Sequence, residues 1–308
     1  MSKLLSVLQV VIPIFAAIIL GFIAKKKKLV SAEGVRGMQQ YVMNIGLPCI
    51  ILNSCMTAKV GAESLGIMAM VMPFMVATTL WAFRARKNKF KYHNFPQLFC
   101  AQETGMLGIP LFIILFGTAQ AYRMGILDLA QAVAAYPTIA ILSANAGENP
   151  KPTEIVKKVL LSPFVIMCIL GLSINLSGLG VALDRIGILA IISETTSFLS
   201  QPVSAMMIFS VGYNFSLSSG NRKEVFQISA IHFVTFALMG IVIQLFLFLI
   251  PHVTPEARWS ILLYSLLPAS YLAPTLGRTD KDFSMASGVC SILTVATLIV
   301  FCVMAAIV

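Results

Sequence analysis

The 308-residue sequence predicts an all-α integral membrane protein of ten transmembrane helices in two inverted five-helix repeats, with broken, crossing helices at the fourth and ninth spans. Three observations carry this prediction. First, 58% of residues are apolar and 11% charged, and the mean hydropathy is +0.90. A soluble domain carries roughly 25% charged residues, and no soluble fold hides so much apolar surface. Second, stretches able to cross about 30 Å of hydrocarbon, which takes about 20 residues as a helix, recur ten times along the chain. Third, in VIPIFAAIILG and LSPFVIMCILG, Pro13 and Pro163 each sit eight residues before the glycine of an Ile-Leu-Gly tail, 150 residues apart, which reads as a duplication.

In the first half the spans are expected at 4–24, 39–56, 65–83, 95–117 and 125–146; in the second, at 159–178, 197–217, 226–250, 260–277 and 283–307. The first carries its charge after it, at Lys25 to Lys28, so it reads as a retained span and not as a cleaved signal peptide, whose charge precedes its apolar run. Glu103, Pro202, Pro268 and Pro274 interrupt the fourth, seventh and ninth spans. The tract 180–195 reads as an interfacial or re-entrant piece leading into the seventh. Residues 1–146 and 159–308 are the two repeats, joined by a cytoplasmic linker at 147–158.

Lys and Arg are retained on the cytoplasmic side during insertion. The loops at 25–38, 84–93, 147–158, 218–225 and 278–282 hold 17 of them, against five on the other side: Lys3, Lys59, Arg123, Arg185 and Arg258. Both termini are therefore expected outside. The first span then runs inward and the sixth outward, so the halves are inverted. Two similar units packed in opposite senses give two states of nearly equal energy, one open to each side, as in many secondary transporters. The net charge of +10 needs no nucleic acid, because its basic clusters at 25–28 and 84–91 serve as topology signals in contact with anionic lipid.

Cys49, Cys55, Cys100, Cys168, Cys290 and Cys302 all fall in expected spans without CxxC or metal-type spacing, so neither a disulfide framework nor a zinc site is indicated. There is no GxGxxG, Walker loop, HExxH or GxSxG, and His93, His232 and His252 are scattered. No cofactor is expected, and an enzyme would need at least two convergent reactive groups.

An ionised side chain at mid-bilayer costs about 2.5 kcal/mol or more and marks a pathway. Glu103 is such a residue: Gln102, Glu103 and Thr104 precede Gly105, Gly108 and Pro110, a pattern that predicts a helix broken near its middle. The broken end exposes N–H groups suited to a substrate carboxylate. The ninth span, the counterpart of the fourth, carries Pro268 and Pro274 around Ser270 and Tyr271, and matching breaks in matching spans point to a binding site. Asn44, Asn53 and Gln201 are further candidates, for the cavity wall of the second and seventh spans, although amides in membrane helices also join helix to helix. Asp128 reads as interfacial, Glu194 as headgroup-exposed and His232 as a neutral, hydrogen-bonded residue.

The segment GFIAKKKKLVSAEGVRGMQQYVMNIGLPCIIL resembles the first-to-second span signature of the auxin efflux carrier family, GMLGIPLFIILFG its fourth-span motif, and SQPVSAMMIFSVGYNFS its seventh span. The likeness covers essentially the whole chain. It implies the fold of the bile-acid:sodium symporter superfamily. A scaffold is made from spans 1, 2, 6 and 7, and an elevator-like transport unit from spans 3–5 and 8–10, with substrate bound beside the crossing. Members include plant exporters of the auxin anion and bacterial malate or malonate permeases. The short linker here matches the microbial form, in a cell membrane, and the resemblance also implies a homodimer. One departure stands out: where the plant exporters have asparagine at the crossing, this chain has Glu103. A carboxylate there repels an anion unless it is protonated or paired with a cation. Glu103 is thus the expected proton or cation coupling site, with H⁺ or Na⁺ as coupling ion. The alternatives are a sodium-coupled carrier of the bile-acid type and a membrane ligand sensor without transport.

Overall fold

A computed structural model describes residues 3–58, 61–143, 153–154, 157, 160–215, 222–250 and 252–308. Most of the expected linker 147–158, with Lys151 and Lys158, lies outside the described residues, as do Lys59 and the start of the loop 218–225. Among the described residues every regular element is helical, and one isolated antiparallel bridge joins Gln102 to Ala269.

In the first half, α1 is Lys3–Lys26, α2 Ala32–Tyr41, α3 Leu47–Thr57, α4 Ala62–Asn88, α5 Gln97–Cys100, α6 Ile109–Phe116 and α7 Ala121–Ser143. In the second, α8 is Pro163–Leu176, α9 Leu179–Arg185, α10 Ile188–Ser200, α11 Val203–Asn214, α12 Arg222–Phe246, α13 Pro255–Ser265 and α14 Asp280–Ile307. Starts follow local chemistry. The hydroxyls of Ser31, Ser162 and Thr254 accept from first-turn amides of α2, α8 and α13, while Thr279 and Asp282 form a reciprocal capping box on α14.

Among the described residues, four helical stretches are long and apolar enough to cross a membrane: Ala62–Asn88, Thr118–Leu142, Arg222–Leu249 and Asp280–Ile307. A fifth arises if α8 and α9, bent by 80°, are one span. The fourth, seventh and ninth expected spans are instead divided into shorter pieces, and the second is continuous but irregular. The second has a π-helical segment, Val42–Gly46, between α2 and α3, and the seventh is interrupted at Gln201 and Pro202, between α10 and α11. These four form two pairs under the expected duplication, second with seventh and fourth with ninth.

The tract 180–195 is part surface piece and part span. Gly178 (φ +71°) and Gly187 (φ +75°) adopt left-handed conformations at either end of α9, setting it apart from α8 and α10. From Ile188 onward no breaker intervenes before Pro202, so these residues join the seventh span, which begins earlier than the expected 197.

The packing is compatible with the expected repeat. α1 lies along α11 and α3 along α8, with α10 beside α3; α4 lies along α7, and α12 against α13 and α14. Under the expected duplication, the α1–α11 pair would correspond to the α8–α3 pair. The glycines of the two Ile-Leu-Gly tails sit at these contacts. A Cβ on Gly21 would strike the Phe209 carbonyl oxygen, and one on Gly212 the Ile18 carbonyl oxygen. One on Gly171 would lie 2.7 Å from Cys55 Cβ and 2.8 Å from the Leu52 oxygen. Small residues let membrane helices approach backbone to backbone, where dispersion and polar contacts replace the hydrophobic effect.

Candidate functional site

The fourth span stops being helical at Ala101 and resumes as a π-helical turn, Thr104–Gly108, that continues into α6. The break is thus upstream of Gly105, Gly108 and Pro110, around which the sequence predicted it. Pro110 is the second residue of α6, directly after the π-helical turn, and lacks the N–H that would continue the helical ladder there. Gly108 packs against Leu267 and Met124, and Gly105 faces Met43 and Leu47 of the second span. The ninth span breaks after α13 and ends in a 3₁₀ turn at Pro274–Leu276.

The two breaks cross. The Glu103 N–H donates to the Pro268 carbonyl at 2.8 Å, and the Ser270 N–H to the Ala101 carbonyl at 3.1 Å. These bonds flank Gln102 and Ala269 as in an antiparallel pair, and they satisfy peptide groups that no helix serves. The Gln102 peptide therefore points the other way, to Gln131 of α7. Gln131 Oε1 accepts from the Gln102 N–H at 2.7 Å, and Gln131 Nε2 donates to the Gln102 carbonyl at 3.1 Å. One side-chain amide thus does the work of a neighbouring strand. It is held in turn by the Tyr264 hydroxyl, which donates to Oε1 at 2.9 Å, and by Asp128 Oδ1, which accepts from Nε2 at 2.8 Å.

Glu103 is 8% exposed and occupies the amides that a broken span offers. Its Oε2 accepts from the Tyr271 N–H at 2.6 Å and its Oε1 from the Met106 N–H at 3.1 Å. The expectation that these donors lie open for a substrate carboxylate is corrected: a carboxylate of the chain itself sits on them, because Glu103 is the residue that caps the resumed helix. A substrate anion reaches them only by displacing it.

Nor does Glu103 stand without another charged group nearby. Asp128, expected as interfacial, accepts from the Thr104 hydroxyl beside it. Gln102, with its amide oriented to suit its surroundings, donates to the Pro268 and Leu267 carbonyls and to His232 Nε2 at 3.2 Å. His232 is 1% exposed, packs at a tilt against Phe236 and Phe99, and leaves Nδ1 without a partner among the described residues. Tyr271 OH lies 2.7 Å from Thr294 Oγ1.

Among the described residues, no hydrogen bond ties Asn44, Asn53 or Gln201 to the crossing. Asn53 is tied to α10, its Nδ2 3.3 Å from Ser197 Oγ and its Oδ1 accepting from Ser193 Oγ at 3.1 Å. It joins helix to helix. Asn44 and Gln201 are exposed, at the π-helical segment and beside Pro202. The residues missed in the sequence are Asp128, Gln131 and Tyr264. Asp128 and Gln131 lie three apart, on one face of a largely apolar helix, and that spacing was the available signal. No group of three or more His, Cys, Asp or Glu that could hold a metal ion occurs among the described residues.

A helical membrane protein in which two interrupted helices cross, with polar side chains collected at the crossing, belongs by construction with proteins that move solutes. The pattern of the membrane transport protein family matches residues 6–307, and the chain belongs to that family, the one that holds the auxin efflux carriers. Among curated proteins none matches it. The family is one of transport and not, in general, of catalysis.

Proposed function

We propose that the chain is a secondary transporter for a small organic anion, a carboxylate, working by elevator-type alternating access. In this reading ten spans form two inverted repeats in the cell membrane, with both termini outside. α1 to α3, α8, α10 and α11 make the scaffold, through which a homodimer forms; α4 to α7 and α12 to α14 make the unit that moves. The observation that carries the reading is the crossing: one interrupted span from each half, joined at Gln102 and Ala269, with Glu103 seated on the amides of Tyr271 and Met106. The close pairing of α1 with α11 and of α3 with α8 supports a scaffold distinct from the moving unit.

Substrate binds beside the crossing, among Gln102, Thr104, Gly105, Ser270 and Tyr271, with Asn44 and Gln201 as candidates for the opposite wall. Glu103 couples transport to a proton. Uptake of the proton removes the negative charge that repels the anion, loosens the hold on the two amides and frees them for the substrate carboxylate.

The test is uptake of labelled mono- and dicarboxylates into proteoliposomes under an imposed pH gradient or an imposed sodium gradient. Saturable, proton-driven uptake is expected. Sodium-driven uptake moves the protein to the bile-acid type of carrier; binding without flux makes it a sensor.

A further inference from the structure

Ser54, on α3, is 1% exposed, and its hydroxyl is used twice on the turn that precedes α7. It donates to the Ala119 carbonyl at 3.0 Å and accepts from the Tyr122 N–H at 2.8 Å. Tyr122 lies in the first turn of α7, where the opening amides of a helix have no partner inside it. Ser54 therefore caps α7 from another helix. A cap in a helix's own chain travels with that helix, whereas a cap from a neighbour holds only while the two stay in register.

The register matters because α3 packs with α8 and α10, and α7 with α4. Among the described residues one other polar contact crosses this boundary, between Tyr136 of α7 and the Ser162 side chain at the start of α8; Gly105 against Met43 and Leu47, and Gly125 against Ile51 and Phe164, are apolar. Apolar surfaces slide with little loss, but a hydrogen bond fails once its atoms separate beyond about 3.5 Å. We propose that Ser54 is a positioning residue, a latch that holds the moving unit against the scaffold in the state described here and that opens in each transport cycle. This rests on the elevator reading given above. Without the hydroxyl, the Tyr122 amide and Ala119 carbonyl lose partners in the latched state only, so the balance shifts toward the unlatched state by on the order of tenfold.

The experiment places nitroxides, attached through a keto amino acid so that the native cysteines stay, at Leu176 on α8 and at Thr118 in the turn, both exposed. Double electron–electron resonance in nanodiscs then reads the distance across the boundary in the otherwise native chain, Ser54→Ala and Ser54→Thr; Ser54→Cys, a weak donor of similar size, replaces Ser54→Ala if that variant does not fold. The expected result is two distances whose ratio shifts about tenfold in Ser54→Ala and returns in Ser54→Thr. Two distances with an unchanged ratio overturn the latch and leave the elevator reading standing. A single distance in every variant, with saturable uptake intact, overturns both.

Discussion

Glu103 Oε2 accepts from the backbone N–H of Tyr271 at 2.6 Å, joining two spans across 168 residues of sequence. The other oxygen of the same carboxylate takes the Met106 N–H, so one side chain closes the open ends of both breaks.

Under the proposed coupling, Glu103→Gln cannot gain or release a proton. Its uptake of labelled carboxylate should lose its dependence on the pH gradient while exchange of one anion for another continues. Unchanged pH dependence in this variant removes Glu103 from the coupling step.

Glu103→Ala leaves the Tyr271 and Met106 amides without their acceptor, and hydrogen bonds to charged groups are worth about 1.5–3 kcal/mol each. Thermal unfolding in detergent should begin well below that of the parent protein. Acetate, a carboxylate small enough for the vacated space, should raise the midpoint of this variant saturably and leave the parent unmoved; an equal response of both proteins speaks against the vacancy.

Gln131→Leu strips the partner from the N–H and the carbonyl of Gln102 together, at about 1–3 kcal/mol for each buried group left unpaired. Gln131→Glu keeps the acceptor and loses the donor, so its loss should be intermediate. Hydrogen exchange across residues 99–106, followed by mass spectrometry, should quicken in that order and stay slow in α14. The pairing is wrong if exchange at these residues is the same in all three proteins.

Arg123 and Glu63 form an ion pair at 2.8 Å, their side chains 8% and 10% exposed. Breaking a buried pair from one side costs about 3–5 kcal/mol. Thr254 still gives Glu63 two hydrogen bonds through its N–H and its hydroxyl, so Arg123→Met should fall at the low end of that range. Adding Glu63→Gln should recover part of the loss, and a double variant less stable than either single one contradicts this.

Much of this architecture is legible in the sequence because bilayer physics leaves few options. The composition, the Pro13 and Pro163 segments and the glycines Gly105 and Gly108 point to helices, duplication and breaks, and Gly21 and Gly171 each sit at a close contact with another helix. The position of the break within the fourth span was not legible. Residues 101–103 leave the helix because Pro268 and Ser270 supply their hydrogen bonds, and no local pattern encodes a partner so distant. The two roles open to Asn53 were not separable for a related reason: an amide that lines a cavity and one that bonds Ser193 and Ser197 look alike until the neighbouring helix is in place.

The bridge between Gln102 and Ala269 also constrains how the protein is made. At about 5–20 residues per second, the ribosome adds Pro268 and Ser270 on the order of ten seconds after the fourth span has emerged. Throughout that interval the peptide groups of Ala101 and Glu103 lack their eventual partners, in surroundings where unpaired backbone is costly. The first half therefore enters the membrane unfinished. Its crossing closes only when the second half arrives, so a nascent chain truncated before the ninth span is an open target for membrane quality control.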